Sequence, residues 1–129
     1  MSKYKIGTII NFCSNEASFL APCIEQVKKF SQEIYLPVCD HFFDGSKENQ
    51  NLLENIFKSF PAAQFLYYPF SEKIKKTRWY KKALSHFWHS LSRYIGYIHL
   101  SSSVDYVLFL DVDEIVDGDG FLSWLDSLE

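Results

Sequence analysis

The sequence is short of cysteine, has no long apolar run, and beyond Arg93 has no lysine or arginine at all. Its three cysteines, Cys13, Cys23 and Cys39, cannot all pair within one chain and show no Cys-x-x-Cys spacing. Neither a disulfide framework nor a zinc cluster is therefore expected, and a reducing, cytoplasmic setting is. No stretch approaches the roughly 20 continuous apolar residues that cross a bilayer, so no transmembrane segment is expected. The early apolar run Ile6 to Ile10 ends at Asn11 without a small-residue cleavage site and reads as a strand, not a secretion signal. Internal repeats and low-complexity tracts are also missing. After Arg93 there is no Lys or Arg, while eight acidic residues follow. Lys73, Lys75, Lys76, Arg78, Lys81 and Lys82 gather the positive charge in one cluster just before that point. Such asymmetry suits a place where a divalent cation meets a polyanion, although charge runs are more often plain solvated surface. At a net charge of −3 no nucleic acid is expected as a partner.

What is present is apolar material enough for a core. With 47% hydrophobic and 18% aromatic residues in 129, the chain is too apolar for disorder and suits one domain over residues 1–129. Tyr4 to Phe12 reads as a strand followed by the polar turn Cys13-Ser14-Asn15-Glu16, which can cap a helix over about Glu16 to Phe30 with Leu20, Ile24 and Val27 inward. Pro22 is tolerable there only near the first turns. Ile34 to Cys39 suits a buried parallel strand. The turn Asp44-Gly45-Ser46 then leads to a helix carrying Leu52, Leu53, Ile56, Phe57 and Phe60, closed by Pro61. Gln64 to Tyr68 is a third strand. In the long helix after it, Leu84, Phe87, Trp88, Leu91, Tyr94, Ile95 and Ile98 trace one apolar stripe. Tyr106 to Leu110 gives a fourth strand and Phe121 to Leu128 a last helix.

Strands alternating with helices predict an α/β fold, a Rossmann-like, mostly parallel sheet flanked by helices. Ligands of such sheets bind outside the carboxyl ends of the strands. Polar groups cluster there: Asn11 to Glu16, Asp40 to Ser46, and Asp111 to Glu114. Phe109-Leu110-Asp111-Val112-Asp113-Glu114 sets carboxylates after a run too apolar to be exposed, and an uncompensated buried charge costs several kcal/mol, roughly. Side chains two apart on extended chain share a face, so Asp111 and Asp113 can reach one ion while Val112 packs behind. Hard oxygen ligands suit Mg²⁺ or Mn²⁺, completed by water and phosphate oxygens. A calcium loop counted from Asp111 fails, because Ile115, Val116 and Leu122 stand at its later key positions. An aspartyl phosphatase or phosphotransferase, with Asp111 as nucleophile, is the enzymatic alternative.

Taken together, these pieces resemble the family 2-like glycosyltransferases of the GT-A fold. The resemblance rests on Asn15-Glu16 after the first strand, the Asp44-Gly45-Ser46 turn, Ser92-Arg93-Tyr94-Ile95-Gly96 on the long helix, and Leu110-Asp111-Val112-Asp113-Glu114, in that order. It implies the nucleotide-sugar-binding half of such an enzyme. Asn15, Glu16, Asp40, Asp44, Arg93 and Asp111 would hold the donor, with Asp40 or Asp44 on the base. Asp111 and Asp113 would hold the Mn²⁺ or Mg²⁺ on its diphosphate. Arg78 or Lys82 could face the same phosphates. The resemblance favours a UDP-sugar donor and leaves the acceptor unknown. It also places the general base beyond Glu129, so that the isolated chain is expected to bind without transferring and, with an uncovered sheet edge, to form homo-oligomers.

Three positions depart from the resembled pattern: Ser14 where an aromatic residue is common, His41-Phe42-Phe43 between two acids that are often adjacent, and Tyr94 in place of Asn. A non-catalytic nucleotide-binding or interaction module of the same fold is the reading from another class. His86 and His89, three apart on the long helix, could share a face, but zinc needs three or four ligands and none is proposed. Phe12, Phe42, Phe43, Trp79 and Trp88 read as core, with Trp79 a candidate to line the cleft.

Overall fold

A computed structural model describes residues 3–70 and 78–128, with the backbone alone for 78–85. Four strands form one sheet: β1 (Ile6–Asn11), β2 (Ser31–Cys39), β3 (Phe65–Tyr68) and β4 (Tyr106–Asp111). A 3-10 helix (Ser14–Phe19) and α1 (Leu20–Val27) join β1 to β2. Helix α2 (Gln50–Ser59) precedes β3, α3 (Arg78–His99) precedes β4, and α4 (Gly118–Ser127) ends the described chain. All strand pairs are parallel and the order is β3-β2-β1-β4. The α/β, all-parallel expectation is met. The chain steps outward from β1 to β3 and then returns to the other side of β1, so the strand order switches between β1 and β4.

Most elements follow from local chemistry, and the departures have identifiable causes. The first helix is shorter than its apolar spacing predicts. Pro22 has no N–H to donate, so regular α-helix starts only at Leu20, leaving Pro22 as its third residue, and a 3-10 segment precedes it. Strand β2 begins three residues earlier than Ile34, because Gln32 accepts from the Ile6 N–H at 2.6 Å and Ser31 shares a hydrogen bond with Thr8. The Asp44-Gly45-Ser46 turn forms as read: Gly45 takes φ 90°, and Asp44 accepts from the Ser46 N–H and hydroxyl. Asn49 caps α2 through the Leu52 N–H.

Two expectations need correction. Strand β4 is not buried: it forms an edge of the sheet, and Tyr106 and Phe109 are exposed. The apolar stripe of α3 is only in part its inward face. Trp88, Ser92 and Gly96 are buried, with Leu91 and Ile95 half-buried, whereas Tyr94 and Ile98 point to solvent; the side chain of Leu84 lies outside the described residues. Small residues win the inward face because the helix lies directly on β1. A Cβ added at Gly96 would come within 2.4 Å of the Ile9 side chain.

That contact makes Gly96→Ala a test of the packing. Replacing glycine in a helix interior gains about 1 kcal/mol in propensity, but the overpacking against Ile9 costs about 1–3 kcal/mol. We expect a net loss of stability in urea titration, and in a double-mutant cycle Gly96→Ala should cost less in an Ile9→Ala background, where the clashing side chain is gone, than in the parent. A stabilised Gly96→Ala variant would show that α3 stands off the sheet.

Candidate functional site

At the switch between β1 and β4, Asn11 and Asp111 are neighbours across the ladder, each at the last position of its strand. The chain beyond each strand end diverges and leaves a cleft of about 260 Å³ lined by Asn11, Cys13, Asn15, Glu16, Phe42, Phe43, His89, Asp111 and Asp113. Asp111 and Asp113 share this cleft while Val112, fully buried, packs behind them. The alternation expected of extended chain holds there.

Asn11 organises the floor. It is 2% exposed, and its Oδ1 accepts from the buried Ser92 hydroxyl at 2.8 Å. Its Nδ2 lies 3.3 Å from both Asp111 Oδ1 and His89 Nδ1. It can donate to Nδ1 only when that imidazole is neutral with its proton on Nε2. Burial, aided by Arg93 and His86 and opposed by Asp111, lowers the His89 pKa and favours that form. Arg93 Nη2 stands 3.8 Å from the same Asp111 oxygen, and its buried Nε has no partner among the described residues. One carboxylate oxygen is therefore faced by an amide, an imidazole and a guanidinium.

Glu16 answers to the acids from the other wall. Burial, then Asp113, then Asp111 raise its pKa, which marks a cleft whose negative charges repel one another. Among the described residues no three His, Cys, Asp or Glu side chains form a group able to hold a metal ion. Two carboxylates suffice for Mg²⁺ or Mn²⁺ when phosphate oxygens and water complete the shell. The donor set is thus an incomplete one, Asp111 and Asp113, that fits a cation arriving with a phosphate ligand. Cys13 offers no thiolate: burial first, then Glu48 and Glu16, push its pKa up to about 12.

The other residues singled out from the sequence sit differently. Asp40 and Asp44 do not line the cleft. Asp40 Oδ1 accepts from the Phe70 N–H at 2.6 Å and from His41 at 2.8 Å, tying the ends of β2 and β3 together. Burial pushes the Asp40 pKa up, but these hydrogen bonds and the His41 charge outweigh it and the net shift is downward. Asp44 is occupied by its own turn. Beyond the motif, Glu114 folds back onto the Asp111 N–H, Asp117 caps α4, and Asp119 pairs with Lys29 at 2.9 Å. Phe42 and Phe43, read as core, are half-buried cleft walls, and Phe43 packs on the His89 ring at 4.0 Å. Lys73, Lys75 and Lys76 lie outside the described residues, as do the side chains of Arg78, Trp79, Lys81, Lys82 and Leu84.

Sequence reasoning missed Glu48. It is 6% exposed and its carboxylate accepts from the Ser14 N–H at 3.0 Å, from the Ser14 hydroxyl, and from the Asn49 N–H at 3.1 Å. Ser14 thus caps nothing itself; it is held by Glu48, and this bracket fixes the turn that presents Asn15 and Glu16. An acid two residues after the Asp-Gly-Ser turn, just before a helix, was the available signal. No protein-family model matches the chain, and comparison with curated proteins finds no match.

Two outcomes test this geometry. Glu48→Ala leaves a buried Ser14 N–H unsatisfied and should cost about 1–3 kcal/mol, measured by urea unfolding; a neutral result would mean that the bracket does not hold the turn. For Glu16 the sign follows from its raised pKa. Its folded form holds a proton that the unfolded form has lost, so its ionisation lowers stability as pH rises from the ordinary 4.5 through the folded value. Without added metal, Glu16→Gln should therefore melt higher than the parent at neutral pH and lose that advantage below pH 4.5. A constant difference across that range would exclude charge repulsion as the cause.

Proposed function

We propose that this cleft binds the diphosphate of a nucleotide-sugar donor through a divalent cation, and that the chain is the donor-binding part of a glycosyltransferase of the GT-A type. The observation that carries the reading is the meeting of Asp111 and Asp113 with Glu16 in one cleft at the strand-order switch of a parallel sheet, where ligands of such sheets bind. A concentration of carboxylates with a depressed imidazole beside it is poor company for a bare phosphate and good company for a cation–phosphate pair.

In this reading Asp111 and Asp113 would hold Mn²⁺ or Mg²⁺, which would supply charge neutralisation for a nucleoside diphosphate leaving group. Asn11 fixes the Asp111 carboxylate, so the donor atoms are set before ligand arrives. Arg93, half-exposed beside Asp111, has guanidinium N–H groups left to pair with a phosphate oxygen. Phe42 and Phe43 give the cleft an apolar wall opposite the acids. A cleft of 260 Å³ lies below the roughly 300–1,000 Å³ of sites that enclose a drug-sized ligand, so it holds the charged part of a donor rather than all of it.

The test is a melting experiment with UDP and Mn²⁺, alone and together. Ligand at a hundred times its dissociation constant should contribute about 2.7 kcal/mol, and only when metal is present. Asp113→Asn should abolish the metal-dependent part. Equal stabilisation in EDTA, or an undiminished shift in Asp113→Asn, would sink the metal bridge. Screening sugar diphosphates of other bases in the same format then identifies the donor.

A further inference from the structure

One aromatic side chain of the cleft is not accounted for by the core. Phe42 and Phe43 both line it, but they are held differently. Phe43 lies on the His89 ring at 4.0 Å and packs against the cluster of Cys39, Phe70 and Trp88. Phe42 is half-buried and belongs to neither hydrophobic cluster, and among the described residues no ring lies against it. Its ring has a free face beside the carboxylates.

The backbone beneath that ring is fixed. The Phe42 N–H donates to the Ser46 carbonyl at 2.8 Å, and the Phe42 carbonyl accepts from the Gly45 N–H at 2.9 Å. The loop that contains it is closed by the His41–Lys47 bridge and by the Glu48 N–H, which donates to the Asp40 carbonyl at 3.0 Å. An aromatic ring on two side-chain torsions adds little freedom of its own, so the surface is in place before a ligand arrives and ordering it on binding costs little.

The cleft, at about 260 Å³, encloses the charged part of a donor, so the remainder has to leave over a wall. The loop after β2 contributes only Phe42 and Phe43 to the lining, since Asp40 and Asp44 face elsewhere. A sugar laid on that wall would find no side-chain partner there for its hydroxyls, and polar groups removed from water without partners are costly. A nucleobase needs only a flat face, because every base can stack on an aromatic ring whatever its edge carries. We propose that Phe42 is the stacking surface for the base of the bound nucleoside diphosphate, and that this contact accepts the common bases as a class instead of selecting one. The inference rests on the donor-binding reading and adds to it the part of the ligand that lies outside the acidic cleft. Purines, with more ring to stack, bind at least as tightly as pyrimidines.

The full 129-residue chain is titrated by calorimetry in Mn²⁺ with UDP, CDP, ADP, GDP and inorganic pyrophosphate. Each nucleotide should bind more tightly than pyrophosphate, by roughly 5- to 150-fold, the worth of one base stacked on an aromatic ring. No base should stand apart from the others by more than about tenfold. In Phe42→Ala and in Phe42→Leu, which keeps bulk but not the ring, the ratio of nucleotide to pyrophosphate affinity should fall to near one, and Phe42→Tyr should restore it. Circular dichroism identifies any variant that fails to fold, and the unmodified chain gives a reading without variants: saturation transferred from its aromatic protons should reach the base protons of UDP more strongly than those of the ribose. If neither pyrophosphate nor any nucleotide binds with Mn²⁺, the donor-binding reading fails and this inference with it. If pyrophosphate binds and the nucleoside adds nothing, the inference alone fails. An advantage that survives in folded Phe42→Ala, a single base preferred well beyond tenfold, or saturation strongest on the ribose also overturns it.

Discussion

The closeness of α3 to β1 governs the carboxyl end of this sheet. Gly96 gives the helix room to lie on Ile9, and one turn earlier Ser92 reaches Asn11 with a hydroxyl at 2.8 Å. Asn11 is the last residue of the central strand, and its side chain is pinned by that bond. Its amide then has one direction left, toward Asp111 and His89. Any side chain at position 96 that lifted the helix would release Asn11 first and Asp111 second. A buried hydroxyl–amide pair is thus the link between ordinary core packing and the charge placement of the cleft, and the low dielectric around it strengthens the bond.

The charges in the cleft oppose one another by design of the backbone, not by chance of rotamer. Asn11 and Asp111 are paired across the ladder, Val112 extends the pairing through its N–H to Asn11, and Asp113 must then return to the same side as Asp111. Glu16 is delivered by a separate constraint, the Glu48 bracket on Ser14. Two independent elements thus push negative groups together, and Asp113 and Asp111 add to the rise that burial causes in the Glu16 pKa. Arg93 relieves Asp111 only weakly, because a 3.8 Å contact between partly exposed groups is worth little. A cation held between the two walls, as proposed above, would relieve more than that contact does.

Much of this was legible in the sequence. The alternation of apolar runs with helical spacing gave all four strands and the parallel sheet, and the Asp44-Gly45-Ser46 turn and the Asp111–Asp113 pair stand where their chemistry put them. Three things were not legible. Hydrophobic periodicity counts apolar residues, so it placed Tyr94 and Ile98 inward with Trp88, Leu91 and Ile95, when close approach to β1 demanded Ser92 and Gly96 there. An apolar strand sequence does not reveal whether a neighbour covers it, so β4 read as buried while lying at an edge. The bonds of Asp40 to Phe70 and His41 and of Asp44 to Ser46 are the third, since a position at a strand end does not reveal which groups a carboxylate already meets.

The same rotation of α3 that explains the misread stripe also divides the molecule's surface chemistry. Turning glycine and serine inward places Arg93 and His89 on the flank near Asp111 and leaves Tyr94, Tyr97 and Ile98 facing out. Charge is thereby collected at the carboxyl ends of the strands and is almost absent along the β4 edge. The helix has to satisfy two demands with one repeat, a close apolar seat on the sheet and polar groups delivered to one end of it. A helix carrying its bulk inward would stand further from β1, break the Ser92–Asn11 bond and bury the surface that now lies open. The exposed aromatics are the cost of placing small residues where the site needs the helix close.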